Sequence, residues 1–98
     1  MSELPTRAEY VECQGDPFQI IPESANPVAV ELIEVTSLAR NAAPAPDRPF
    51  SLIFRGLRTP VLPQRMYLVE HERLGGHLLF LVPIGPDEHG MRYQAIFN

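Results

Sequence analysis

From Phe50 onward, apolar residues recur at every second position in FSLIFRG, LPQRMYLVEH, LGGHLLFLVPIGPDEHG and MRYQAIFN. A period of two puts alternate side chains on one face of a pleated strand, so this half predicts a sheet with one buried face. Phe50, Leu52 and Phe54 share a face until Gly56 breaks the first strand. Tyr67 and Val69 share one in the second, which runs up to His71. The third strand, His77 to Ile84, is apolar on both faces and is therefore expected at the centre of the sheet. Tyr93, Ala95 and Phe97 line up in the last strand. Glu72-Arg73-Leu74-Gly75-Gly76 and Gly85-Pro86-Asp87-Glu88-His89-Gly90 have the length and composition of hairpin loops.

The first half is less regular. Thr6-Arg7-Ala8-Glu9 has capping-box spacing and predicts a short helix near 7–12, ended by Gly15-Asp16-Pro17. So short a helix must dock on the sheet, through Tyr10 and Val11. Phe18 to Ile21 and Val28 to Leu38 are the remaining strands. In the longer one Val28, Val30 and Leu32 share one parity while Ile33 and Val35 take the other, which predicts a bulge. Residues 39–49, rich in alanine and proline without periodicity, are expected to form a mobile loop. The sum is one all-β domain over 1–98. It is a small antiparallel meander of about six strands, a closed or partly closed barrel or a two-layer sandwich, with a short N-terminal helix.

Composition narrows the function classes. At 98 residues the chain has room for one core, and 45% apolar content supports one. The net charge is −4, and the eight basic residues, all arginine, are scattered, so no phosphate-backbone footprint exists. No signal peptide or 20-residue apolar span is visible, which gives a cytoplasmic expectation with no membrane and no nucleic acid as partner. Cys13 is the single cysteine, expected as a small buried residue.

Candidate chemistry is sparse. His71 and His77 flank a hairpin loop with Glu70 or Glu72 nearby, a donor set that suits zinc. Alternation, however, turns Glu70 away from His71, and no metal or other cofactor is expected. Ser51, His71 and Asp87 make a hydrolytic trio on paper only, since no Gly-x-Ser-x-Gly elbow surrounds Ser51. Asp87 and Glu88 are too few oxygen donors for calcium. Arg55, Gln64 and His71 stand out as polar residues with structural roles: an arginine pairing with a carboxylate or turn carbonyls, a glutamine bonding loop backbone.

The segments Phe50-Ser51-Leu52, Phe54-Arg55-Gly56, Leu62-Pro63-Gln64, Glu70-His71, Phe80-Leu81-Val82-Pro83-Ile84-Gly85 and Tyr93-Gln94-Ala95-Ile96-Phe97-Asn98 occur in fixed order. In this the chain resembles a small bacterial family known only as a domain of unknown function. Leu57 and Gln94 depart from that family's usual proline and glutamate. The resemblance brings no catalytic residues. It implies a genomic setting beside tail-collar-like fibre proteins, hence a part in, or on the way to, a fibre or tail-like assembly, which would allow export with it in place of the cytoplasmic default.

The resulting expectation is a non-catalytic interaction domain whose partner is a fibre subunit or a second copy of itself. The last strand would offer a free edge for β-augmentation through Met91, Arg92, Gln94, Ile96 and Asn98. A barrel binding a small ligand or carbohydrate in a pocket lined by Phe54, Tyr67, Phe80 and Tyr93 is the alternative. An enzyme is third.

Overall fold

The computed structural model describes residues 4–23, 25–38 and 49–98. Most of the expected 39–49 loop lies outside them. Helix α1 (Arg7–Glu12) is capped as its sequence requires: Thr6 Oγ1 accepts from the Glu9 N–H at 3.2 Å, and Glu9 Oε1 accepts from the Thr6 N–H at 2.8 Å. Six strands follow, β1 (Pro17–Ile21), β2 (Val28–Ser37), β3 (Phe50–Gly56), β4 (Arg65–His71), β5 (Gly75–Pro86) and β6 (Met91–Phe97). They close into a barrel in the order β1-β2-β3-β6-β5-β4, with every pair antiparallel.

The strand order refines the meander. Each of the triplets β1-β2-β3 and β4-β5-β6 is a meander, but β3 pairs with β6 and not with β4. The connection 57–64 therefore crosses one end of the barrel, and β3, β6, β5 and β4 form a Greek key. Two tyrosine hydroxyls hold that connection. Tyr93 Oη accepts from the Leu62 N–H at 3.0 Å, and Tyr67 Oη donates to the Pro63 carbonyl at 2.6 Å.

Inside, the alternating residues meet as expected. Phe18, Ile20, Leu32, Phe50, Leu52, Phe54, Leu81 and Tyr93 are buried together, with Phe50 and Phe97 stacked at 4.5 Å and Phe18 edge-on to Phe54 at 5.2 Å. The predicted bulge in β2 lies between Leu32 and Glu34. Its extra residue restores the inward parity, so Val35 packs against the core with Leu32. Tyr10 seals one end of the barrel among Phe18, Phe50 and Phe97. Val11, expected to share that docking, is exposed instead, because adjacent helical positions point about 100° apart.

At the opposite end the backbones of β3 and the β5–β6 turn touch. A Cβ on Gly90 would overlap the Gly56 carbonyl, so only glycine fits at position 90 without separating the two.

Candidate functional site

Two places on the barrel collect side chains of interest. The first joins α1, β1 and β4. His71, the last residue of β4, lies buried against the Phe18 ring at 4.6 Å. Its Nε2 donates to Asp16 Oδ2 at 2.8 Å, while Nδ1 accepts from the Arg73 and Leu74 N–H groups at 3.0 and 3.3 Å. Cys13, which caps α1, has its Sγ 4.0 Å from Nδ1 and 3.4 Å from the Arg73 guanidinium, and that guanidinium also reaches Asp16 at 3.5 Å. The set of thiol, imidazole and carboxylate is the one a cysteine hydrolase or a metal would use.

The hydrogen bonds point another way. A general base for Cys13 would need a free Nδ1 lone pair, and two backbone donors already share it. Burial raises the thiol pKa, against thiolate formation, with only partial relief from Arg73. A metal at Nδ1 would have to displace both backbone donors, and one at Nε2 would break the bond to Asp16. The cluster is a tie. It fastens β4 and the β4–β5 turn to the segment entering β1, across a seam where β1 and β4 pair only at Gln19–Glu70, Ile20–Val69 and Ile21–Leu68.

This tie carries a pH signature. The His71 hydrogen bond holds the Asp16 carboxyl below the ordinary Asp range, with Arg73 adding to it. A carboxylate with a depressed folded pKa stabilises the fold above its unfolded pKa of about 3.9, and that contribution is lost as pH falls through the folded value. Thermal midpoints measured from pH 5 to pH 2 are expected to fall less steeply for Asp16→Asn than for the wild type, from a lower start. Parallel curves would remove Asp16 from the acid response.

The remaining polar candidates do not converge. His77 Nε2 donates to the Leu74 carbonyl at 2.9 Å. Asp87 Oδ1 accepts from the His89 and Gly90 N–H groups at 2.8 and 3.0 Å, while Oδ2 takes Arg55 at 3.0 Å. These bonds close the turn and occupy the oxygens a calcium ion would need. Arg55 also lies 3.9 Å from Glu31, and Arg58 donates to the Asp87 carbonyl. Ser51 is buried on β3, which neighbours β2 and β6, so it is not brought to His71 on β4. Gln64 stands exposed, and the nearby Pro63 carbonyl is bonded by Tyr67 in its place.

The second place is the outside of β4, β5 and β6. Inward parity on β5 belongs to Leu79 and Leu81, at 4% and 0% exposure, so Leu78 and Phe80 turn out to water at 61% and 46%. Phe80 is thus not the pocket or core residue its sequence suggests. Met66, paired with Phe80 on β4, and Ile96 on β6 are each 53% exposed. Four large apolar side chains left about half exposed amount to a few hundred Å² of apolar surface, the size at which a patch marks an interaction site.

The free edge expected over the whole last strand is reduced to its end, where Ala95 to Phe97 pair with β3 and not with β5. β6 pairs with β3 from Met91 to Phe97 and with β5 from Met91 to Gln94. Barrel closure uses both sides of the strand up to Gln94. Met91 is buried, while Arg92, partly exposed, donates to the Gly85 carbonyl at 3.2 Å. Gln94, Ile96 and Asn98 do share the outward side of β6, where they line a shallow hollow with Phe80 and Val82. The signal that could have found the whole face was the both-sided apolarity of β5: central in a barrel, such a strand still turns one face to solvent.

A family model described as a domain of unknown function (DUF6916) matches residues 5–97. No curated protein matches, and neither does any solved structure. Among the described residues, no helix is long and apolar enough to cross a membrane.

Proposed function

The chain belongs to the DUF6916 family of domains of unknown function, and from that premise we propose that it is a non-catalytic contact domain. Its working surface is the outer face of β4, β5 and β6, and its partner is a protein. The observation that carries this reading is the exposure of Met66, Leu78, Phe80 and Ile96 side by side on three paired strands. Burying such a face stabilises a complex by the ordinary hydrophobic term, about 25 cal/mol per Å² before association costs. The filled interior supports it too: Phe54, Tyr67 and Tyr93, which would line a ligand pocket, are buried in the core. The sequence resemblance to proteins encoded beside tail-collar-like fibres supports a more specific assignment, to an accessory, capping or assembly subunit of a phage-tail-derived fibre.

The test is affinity capture from native lysate with tagged wild type, Leu78→Lys and Ile96→Lys. Both positions are exposed, so neither change is expected to move the melting temperature by more than about 4 °C. A stoichiometric protein, either a fibre subunit or untagged copies of the chain, recovered with the wild type and lost with both variants is the expected result. Equal recovery with all three baits would place the contact elsewhere and sink the reading of this face.

A further inference from the structure

Where β5 and β6 part company, the outer face has a hollow walled by exposed apolar side chains. Their last paired residues are Val82 and Gln94. Beyond that point lies a hollow of about 160 Å³, with Leu4, Leu78, Phe80 and Ile96 at its mouth and the buried Leu79 and Ala95 beneath. Phe80 and Leu78 project from the same surface. Because the same apolar side chains wall the hollow and stand out from the face, a two-fold rotation can interleave them between two copies.

We infer that this face joins two copies of the chain in an isologous dimer. The inference rests on the contact-face reading above and names its partner. Charge favours a second copy. The chain carries a net −4, so most ways of apposing two identical surfaces bring carboxylates together, which is destabilising. The residues lining this hollow, and the neighbouring one formed with Val82 and Gln94, include no charged side chain. Around these two hollows the copies meet without like-charge contact, and Glu23 and Arg65 enter only at the β4 border beside Met66.

Size fits as well. One partner's share of a standard interface is about a tenth of a small protein's surface, and the chain exposes 6235 Å². The half-exposed apolar side chains supply the dry centre of such an area. Gln94 and Asn98, polar and neutral, supply part of its rim.

The experiment is sedimentation equilibrium of the full chain across a concentration series, with Leu78→Lys and Ile96→Lys beside the wild type and Ile96→Val as the conservative control. The expected result is a wild-type mass rising from 11.0 kDa towards twice that value. Ile96→Val should follow it. Each lysine variant should associate about 30-fold or more weakly, the effect of losing a central interface side chain, with an unchanged melting curve showing that it is folded. A wild type that stays at single-chain mass up to about 1 mM, weaker than any specific interface of this class, overturns the dimer. So does a dimer that persists in both lysine variants. The two readings fail separately. A single-chain wild type whose captured fibre partner is lost in the variants defeats only the second copy, whereas a dimer and a captured partner both indifferent to the variants defeat the face itself.

Discussion

Tyr10→Ala is expected to lower unfolding stability by about 3–5 kcal/mol, the range for truncating a large buried aromatic. Tyr10 is 2% exposed and its ring centroid lies 6.4, 6.2 and 5.5 Å from those of Phe18, Phe50 and Phe97. It is the buried residue of α1, and a helix of six residues has no stability of its own. Removing the ring therefore opens a cavity at the barrel end and releases the helix that covers it. Urea unfolding checks this. A loss under about 1 kcal/mol would mean that the barrel closes that end without α1.

Tyr93→Ala is expected to destabilise by about 2–4 kcal/mol, again as a cavity at a side chain 2% exposed. Here a second variant separates two contributions. Tyr93→Phe keeps the ring and removes only the oxygen that accepts from the Leu62 N–H at 3.0 Å, so it is expected to cost about 0.5–1.5 kcal/mol. Equal losses for the two variants would show that the hydroxyl, and through it the crossing connection 57–64, carries the effect instead of core packing.

Much of this barrel is written in local pattern. The capping box gives α1 to the residue, because both hydrogen bonds lie within one turn of chain. Alternation gives the inward faces of β3, β4 and β6, and the change of parity after Leu32 gives the bulge. What alternation cannot encode is which strand a given edge will meet. The pairing of β3 with β6 depends on how the 57–64 connection crosses the barrel, and the sequence there shows only a constrained turn. The expected free edge at Met91–Asn98 shrinks to its last residues for that reason.

The outer face was hidden differently. Leu78, Leu79, Phe80 and Leu81 are all apolar, and the polar residue of β5, His77, shares the inward parity of Leu79 and Leu81, so it sets the phase wrongly. The residue beside Phe80 that ends up inside is decided by register against Tyr67 and Tyr93. The histidine tie was invisible for a third reason: Asp16 and His71 are 55 positions apart. His71 stood out as a polar residue, but nothing local could name its partners.

The barrel's two long-range seams are unequal. β3 and β6 are joined along seven residue pairs, whereas β1 and β4 share three. A closed barrel that loosens does so at its shortest seam, and the side chains of His71, Asp16 and Arg73 form a clasp over that seam. The molecule is thus hinged on one side and latched on the other. Opening the barrel wall at β1–β4 breaks the fewest strand pairs and leaves β5 and β6, with the outward face they carry, still joined.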